Sequence, residues 1–338
     1  MREIARVAGV SRTAVYHVVN NRAGEVGQET RARILRTIRE LGYVPTPRLK
    51  AKHQRKVESV GCVISATAHT LTLPGYYRQM LDSIMLAFEP YNINLTLFTG
   101  SLFSVDASDQ VRLYCDGRCD GMLLTALRAD SVLPSVLAER GTPFVMIGSK
   151  SNLVDGYTVD FNSGHGISTI LKYLTDMGHR RIAFCPGPDY VPSALARRDA
   201  FHECIGALGM RAPIVPGLDR SCEPGELEQW VRHILSLAES ERPTAIIAWT
   251  DEAALMVIEQ ARIMGIAVPS SLSVTGFDDI MDLSSTDPPL TSYRQPCQEI
   301  AATAVSHLRS QFKADFQSGN ILVNGELIVR ESVVVPRS

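Results

Sequence analysis

From Ser59 to the C-terminus, short β-branched runs alternate with longer stretches in which apolar residues recur at helical spacing. Such alternation is typical of parallel sheets with helices on both faces. About 280 residues is long for one such sheet, so two α/β lobes are expected. The predicted strands are Val60–Ile64, Asn94–Phe98, Gly121–Thr125, Pro143–Ile147, Arg181–Cys185, Thr244–Trp249 and Leu272–Gly276. The predicted helices include Tyr77–Phe88, Gly164–Met177, Leu195–Leu208, Glu226–Ala238 and Asp251–Met264.

Residues 1–45 have a different pattern, which predicts three short helices. Gly9 and Val10 form the turn after the first helix, Ser11 caps the second, and Gly42 and Pro45 follow the third. The predicted spans are Arg2–Ala8, Ser11–Asn20 and Gln28–Leu41. The side chains expected to face inward are Ile4, Val7, Ala8, Val15, Val18, Val19, Ile34, Leu35, Ile38 and Leu41.

Charge is distributed unevenly along the chain. Residues 1–56 hold 13 Lys and Arg against 4 Asp and Glu, a net charge of +9. The remaining residues hold 21 basic and 32 acidic groups, a net charge of −11. A small basic head on a large acidic body indicates a polyanionic partner for the head alone, although a solvated basic face is the alternative.

The head has the parts of a helix-turn-helix: a first helix, a glycine turn, and a second helix with a polar outer face for the major groove. A three-helix bundle without a ligand is the alternative, but basic charge, turn glycine and polar face coincide here. The residues predicted to read bases are Arg12, Thr13 and His17. Those predicted to contact the DNA backbone are Ser11, Tyr16, Asn20 and Thr30.

Several blocks resemble those of one known family, in the family's order. IARVAGVSRTAVYHVVNN resembles its helix-turn-helix and ETRARILRTIRELGYVP its third helix. GHRRIAFCPGP, TAIIAWTDEAAL, VPSSLSVTGFDD and DPPLTSYRQP resemble blocks of its body. The chain therefore resembles the lactose-repressor/galactose-repressor family of bacterial transcription regulators over essentially its whole length.

The resemblance implies an N-terminal all-α helix-turn-helix domain (1–45), a hinge segment (46–58) and a two-lobed α/β body with parallel sheets, like a periplasmic binding protein (59–338). Lobe 1 is expected at about 59–161 and 293–322, and lobe 2 at about 162–292 and 323–338. It also implies a cytoplasmic homodimeric regulator, of repressor type, on pseudo-palindromic operator DNA. A small effector between the lobes, a sugar, sugar acid or related metabolite, would control operator affinity.

The hinge segment departs from the family pattern. The family places Ala and then, three residues on, a Leu that wedges into the minor groove, whereas this chain has Leu49 and Lys52 there. A wedge must be apolar to unstack bases. Either Leu49 takes that role or the regulator does not kink its operator.

Polar residues at carboxyl ends of predicted strands mark the effector site, since ligands of open α/β sheets bind there. By resemblance, the family's pocket arginine and aspartate map onto Arg197 and Asp278, which could instead form a purely structural pair. Asp251 could be a helix N-cap, Asp279 a turn residue and Trp249 simple packing. The predicted effector-binding residues are Tyr76, Tyr77, Asp160, Arg197, Trp249, Thr250 and Asp278.

Other function classes find no support in the sequence. HExxH, GxSxG, P-loop and strand-following GxGxxG motifs are missing, so no enzyme, catalytic residue or cofactor is expected. Seven scattered cysteines without CxxC predict neither metal site nor disulfide framework. A transport-type sugar-binding protein would share the body, but the chain starts without a secretory signal and carries the basic head. No apolar run predicts a membrane span.

Overall fold

The computed structural model describes residues 2–19, 26–40, 57–64, 75–98, 113–125, 127, 131–148, 154, 157–189, 191–210, 225–313 and 318–337. The strands are β1 (Ser59–Ile64), β2 (Asn94–Phe98), β3 (Gly121–Thr125), β4 (Phe144–Ile147), β5 (Tyr157–Phe161), β6 (Ile182–Cys185), β7 (Ala245–Ala248), β8 (Ser273–Asp278), β9 (Thr291–Arg294), β10 (Gly319–Val323) and β11 (Glu326–Ile328). The helices are α1 (Arg2–Val7), α2 (Arg12–Val19), α3 (Gln28–Glu40), α4 (Gly75–Phe88), α5 (Leu133–Glu139), α6 (Ser163–Asp176), α7 (Pro192–Ala207), α8 (Leu227–Leu235), α9 (Asp251–Ile263) and α10 (Cys297–Ser310), with a 3-10 turn at Glu89–Tyr91.

The head packs α1, α2 and α3 around one small core. Gly9, at φ +61°, makes the turn between α1 and α2, and the Ser11 hydroxyl accepts a hydrogen bond from the Ala14 amide at 3.1 Å, as an N-cap does. The predicted inward positions Val7 and Leu35 are wrong, because both side chains point outward with 48% and 40% exposed. The buried core consists of Ile4, Ala5, Ala8, Val15, Val18 and Ile34.

The first lobe is built on a six-stranded, fully parallel sheet in the order β10-β5-β4-β3-β1-β2. Its central strand β3 is buried along its entire length, as expected when helices cover both faces. Helices α4 and α10 pack together on it, with Met80 and Ile84 of α4 and Val305 and Leu308 of α10 in the shared core. The predicted parallel α/β class is confirmed.

The second lobe has a five-stranded sheet in the order β11-β9-β8-β7-β6. Its strands are parallel except β11, which pairs antiparallel with β9 at the edge. Strands β7 and β8 are fully buried. Trp230 of α8 is buried at the centre of a cluster that fills one side of this sheet.

The chain crosses between the lobes three times, after β5, after β9 and after β10. The crossing predicted between residues 292 and 293 lies two residues later, because Tyr293 and Arg294 still pair with Phe277 and Asp278 of β8. Strands β5, β9, β10 and β11 and helices α5 and α10 were not among the predicted elements.

Candidate functional sites

Two of the three predicted base-reading residues lie on an exposed face of α2. Arg12 and Thr13 are exposed at its N-terminus, whereas His17 is half-buried beside the Tyr16 ring, 5.8 Å between centroids. Of the predicted backbone contacts, Ser11 directly precedes α2 and Thr30 lies in the first turn of α3, where free backbone N–H groups favour phosphate. Asn20, Leu49 and Lys52 are outside the described residues.

In the body, the buried Arg197 of α7 lies where the two lobes meet. Its guanidinium donates to Oδ1 of Asp278 at 3.0 Å and to the carbonyl oxygen of Trp249. The guanidinium carbon lies 4.0 Å from the ring centroid of Phe277 in lobe 2 and 4.8 Å from that of Phe161 in lobe 1. Contact with both rings favours one orientation of the planar cation.

Asp278 ends β8 and is also buried. Besides Arg197, the side-chain amide of Gln295 donates to its Oδ1. Burial raises the pKa of Asp278 to about 6, and the neighbouring Arg197 charge opposes this rise. Sequence reasoning missed Gln295, whose one signal is its place directly after the last residue of β9.

Lobe 1 contributes tyrosines and a carboxylate to the same cleft. Burial, followed by the negative charges of Cys297, Asp160 and Asp278, raises the pKa of Tyr76 well above its usual range. The Tyr76 hydroxyl therefore stays neutral and can both donate and accept hydrogen bonds. The Tyr77 ring packs edge-on against Tyr76, 5.6 Å between centroids. Tyr76 thus lies within electrostatic range of Asp160 and Asp278, and Arg197 contacts both Asp278 and the carbonyl of half-buried Trp249.

The start of α9 differs from the prediction. Thr250, not Asp251, is the N-cap, because its hydroxyl accepts a hydrogen bond from the Ala253 amide at 3.2 Å. The fully buried Asp251 carboxyl instead accepts from the Asp279 amide at 2.6 Å and from the Ser292 hydroxyl at 2.5 Å. Thr250 is therefore engaged in capping, and Asp251 fixes the turn that presents Asp278.

Asp279 is a turn residue, as predicted, with φ at +51°. Its carboxylate accepts from Arg294 at 2.8 Å and pairs with Arg330 at the same distance. The two adjacent aspartates thus have different partners. Asp278 bonds Arg197 and Gln295, whereas Asp279 forms ion pairs with Arg294 and Arg330. Among the described residues, no group of three or more His, Cys, Asp or Glu side chains could hold a metal ion.

We expect Asp251→Asn to flatten the pH dependence of stability. Burial and the Asp278 charge raise the pKa of Asp251 to about 8 in the folded protein, above its unfolded value. The native state therefore binds more protons, and the stability of the wild type falls as pH rises from about 4 towards 8. An asparagine imitates the protonated carboxyl and has nothing to ionise. Melting temperatures between pH 6 and 9 measure the difference.

Asp282→Asn is the matched control for this experiment. Asp282 is exposed, and hydrogen bonds from Ser284 and Ser285 lower its pKa, so its carboxylate is ionised throughout the tested range. Its substitution should leave the slope of melting temperature against pH unchanged. Equal slopes for wild type and Asp251→Asn would contradict the assignment.

A three-helix head followed by a two-lobed body with a polar cleft defines a DNA-binding regulator with a ligand-binding domain. Residues 1–46 match the family pattern of "Bacterial regulatory proteins, lacI family", and residues 171–333 match the "Periplasmic binding protein-like domain". The chain therefore carries a lacI-family helix-turn-helix domain and a periplasmic-binding-protein-like domain, the two parts expected from its resemblance to the lactose-repressor/galactose-repressor family, and is a DNA-binding transcription regulator with an effector-binding domain.

Curated relatives align along nearly the whole chain. The transcriptional regulator CelR of Thermobifida fusca is 28% identical, over 97% of this chain and 96% of its own. The transcriptional repressor PurR of Photobacterium profundum is 27% identical, over 98% of both chains. These relatives are transcription regulators, not enzymes. In the part of the chain that the structure describes, no helix has both the length and the apolar character to cross a membrane.

Solved structures share the fold. A CelR–cellobiose complex superposes with a TM-score of 0.70 at 27% identity, covering 97% of this chain and 98% of the other. A lac repressor dimer bound to operator and an anti-inducer superposes with a TM-score of 0.70 at 23% identity, over 98% of each chain. The two-lobed architecture with a helix-turn-helix head is therefore the fold of this chain.

Proposed function

We propose that this chain is a cytoplasmic repressor without enzymatic activity that binds a pseudo-palindromic operator as a homodimer. A small polyhydroxylated effector, a sugar or sugar acid, binds between the lobes and sets the operator affinity. Residues 1–45 form the DNA-binding domain, 46–58 the hinge segment, and 59–338 the effector-binding and dimerisation domain. The CelR structure with cellobiose and the operator-bound lac repressor dimer supply the family precedents.

One observation carries the effector assignment: two buried side chains at Asp278 each retain an unused hydrogen-bonding atom. Nε of Arg197 and Oε1 of Gln295 have no hydrogen-bond partner among the described residues. One is a donor and the other an acceptor, which is the pairing that a hydroxyl group can satisfy. The half-buried ring of Trp249 offers apolar contact to the face of a sugar ring.

The remaining cleft residues complete a hydroxyl-binding surface. Tyr76 and Asp160 would approach the ligand from lobe 1, while Arg197 and Asp278 hold it in lobe 2. A ligand that bonds both lobes favours one relative orientation of the lobes over another. Only this difference in affinity between two lobe arrangements can shift operator binding.

A thermal-shift screen of the full chain tests the effector assignment. Sugars, sugar acids, polyols and nucleobases are added singly, because a ligand of the native state raises the melting temperature by mass action. We expect a polyhydroxylated compound to raise it in proportion to the logarithm of its concentration. A nucleobase as the single hit would overturn the proposed ligand class.

Operator binding is tested by selecting duplexes from random DNA with the full chain. Enriched sequences should contain two inverted half-sites with centres about one or two helical turns apart. Gel-shift affinity should fall steeply with salt, since the basic head releases counterions from phosphates. Selection of a single, unrepeated half-site would contradict a dimer on the operator.

The hinge segment gives a separate prediction from sequence. Lys52→Leu should increase operator bending, because an apolar side chain can enter between base pairs. Leu49→Ala should lower specific affinity if Leu49 is the wedge in this chain. A circular-permutation bending assay on the selected operator measures both. Equal bending by wild type and both variants would mean that the hinge segment does not deform DNA.

A further inference from the structure

The turn that carries Asp278 has an unfavourable backbone conformation. Asp278 and Asp279 are consecutive, and their φ angles are +119° and +51°, a region that residues other than glycine seldom adopt. Such a conformation persists only where the surrounding structure imposes it. The contacts of these two residues, which we call the aspartate turn, therefore determine where the Asp278 carboxylate lies.

Two main-chain amides take part in holding the aspartate turn. The Asp279 amide donates to Oδ2 of Asp251 at 2.6 Å, which ties the turn to the start of α9. The Gln295 amide donates to the Asp278 carbonyl oxygen at 3.0 Å, which ties the turn to the end of β9. Neither bond involves the Asp279 side chain. This side chain is 2% exposed and needs a partner, because an isolated buried charge is unfavourable.

Two arginines pair with the Asp279 carboxylate, and they differ in exposure. Arg294 donates to Oδ2 at 2.8 Å, but its side chain is 45% exposed and also pairs with Glu326. Solvent weakens an ion pair of this kind. Arg330 lies 2.8 Å from Oδ1 and its side chain is only 16% exposed, so its charge is less screened. Arg330 is therefore the stronger electrostatic partner of Asp279.

Arg330 is itself fixed by the residues that begin β9. Its amide donates to the Thr291 hydroxyl at 2.9 Å, and its Nη1 donates to the Leu290 carbonyl oxygen at 2.8 Å. Oδ1 of Asp279 has no hydrogen bond of good geometry among the described residues, so Arg330 acts on it through charge. A lysine at position 330 should therefore take over part of this role, although it lacks the fork of donors.

We propose that Arg330, in the segment after β11, is a positioning residue for Asp278. By pairing with Asp279 it keeps the aspartate turn in the conformation that places Oδ1 of Asp278 3.0 Å from Nη2 of Arg197. Without Arg330 the buried Asp279 carboxylate loses its less screened partner, and the turn relaxes from its positive φ angles. The consequence for effector binding rests on the proposed function, whereas the hold of Arg330 on the turn does not.

Hydrogen exchange of the full chain, without effector or DNA, tests the hold on the turn. Arg330→Met removes the charge and keeps an unbranched side chain. It should speed exchange roughly tenfold in a peptide covering 273–283, because a buried charge loses its partner there. Peptides from β6 and α8, in the same lobe, should exchange as in the wild type. Unchanged exchange in the 273–283 peptide would contradict the proposal, as would equal acceleration throughout the lobe.

Arg242→Met is the matched control. Arg242 is also a half-buried arginine of lobe 2, and its guanidinium donates to the Leu237 carbonyl oxygen at 3.2 Å. It precedes β7, at the opposite end of the sheet from the aspartate turn. The same change of charge and shape should therefore leave exchange in the 273–283 peptide unaltered.

Asp279→Asn shows whether Arg330 acts through Asp279. Asparagine tolerates positive φ and has no charge that needs a partner. In this background, Arg330→Met should have little further effect on the 273–283 peptide. Full additivity of the two substitutions would mean that Arg330 acts by another route, and the proposal would then be wrong.

Effector binding is measured separately by calorimetry on the full chain. The probes are the sugars, sugar acids and polyols of the thermal-shift panel, each titrated singly. Arg330→Met should weaken binding of the compound that the wild type binds by about tenfold. Arg330→Lys should restore most of the affinity, and Arg242→Met should retain all of it.

The outcomes separate this proposal from the proposed function. Wild-type affinity in Arg330→Met, for a compound that the wild type binds, would overturn the positioning role even if exchange in the turn is faster. Failure of Arg330→Lys to restore affinity would overturn the role of charge. If the wild type binds none of these compounds, the proposed function fails, and the exchange measurements still decide whether Arg330 holds the aspartate turn.

Discussion

Arg197→Ala is expected to abolish the response to the effector and to lower the stability of the body by about 3–5 kcal/mol. The stability loss follows because Asp278 would stay buried with Gln295 as its remaining side-chain donor among the described residues. The effector response is lost because the fork of donors and its contacts with Phe161 and Phe277, which orient it, disappear together. Calorimetric titration with the compound found by thermal shift, at a temperature where the variant is folded, measures the affinity.

Asp278→Asn separates binding from stability. The asparagine oxygen still accepts from Arg197 and Gln295, so folding should be far less affected than in Arg197→Ala. The lost carboxylate should weaken effector binding by about 10- to 100-fold, the value of a hydrogen bond to a charged group. Retained effector affinity in both variants would show that the Arg197–Asp278 pair is purely structural.

Arg198→Ala is the matched control for the pocket variants. Arg198 is adjacent in sequence and pairs with Asp199, which is largely exposed, at 2.7 Å. The Arg198→Ala substitution removes one positive charge from α7, as Arg197→Ala does, but leaves the Arg197–Asp278 pair in place. Effector affinity and operator release should match the wild type. A parallel loss in Arg198→Ala would mean that the charge of α7, not the cleft geometry, attracts the ligand.

Arg12→Ala should weaken operator binding by roughly 1–3 kcal/mol, about 5- to 150-fold, and relax the preference at one base pair. Arg12 is exposed at the N-terminus of α2, where a guanidinium can bond O6 and N7 of a guanine. Arg12→Lys keeps the charge but loses the fork, so it should relax the preference almost as much. Quantitative gel shifts on the selected operator and its point variants measure both effects.

Arg33→Ala provides the comparison for charge alone. Arg33 is exposed on α3, and its loss should weaken selected and random DNA to the same small extent. An equal loss on both DNAs for Arg12→Ala would identify Arg12 as a phosphate contact and contradict the base-reading assignment.

Much of the architecture was predictable from local patterns. The predicted starts of α3 and α9 at Gln28 and Asp251 agree with the structure, because amphipathic spacing and capping are encoded within a few residues. Errors appeared where the packing of one helix against another decides which side chains are buried. Val7 and Leu35 have apolar side chains at positions that fit an inward face, yet both are exposed, and α1 and α3 pack through the predicted Ile4 and Ile34 and through Ala5, which was not predicted.

The sequence predicted which residues are candidates for effector binding, but not the contacts that these residues make with one another. Residues at strand ends and the family resemblance selected Tyr76, Asp160, Arg197, Trp249 and Asp278, and the structure shows Arg197 bonded to Asp278 and to the Trp249 carbonyl. The roles of two neighbouring residues differ from the prediction. Thr250 caps α9, and the buried Asp251 beside it accepts a hydrogen bond from Ser292, 41 residues away. Local sequence does not distinguish these roles, since both residue types are good caps.

The sequence by itself determined the class of this protein: a basic helix-turn-helix head, a parallel α/β body and an ordered set of family blocks. These properties depend on periodicity, turn residues and charge, which are local. The tertiary structure alone decided the ion pair between Arg197 and Asp278, 81 residues apart, and the hydrogen bonds that join Tyr293 to His165 and Gly325. Such contacts join segments far apart in the chain, and only packing of the complete lobes brings them within hydrogen-bond distance.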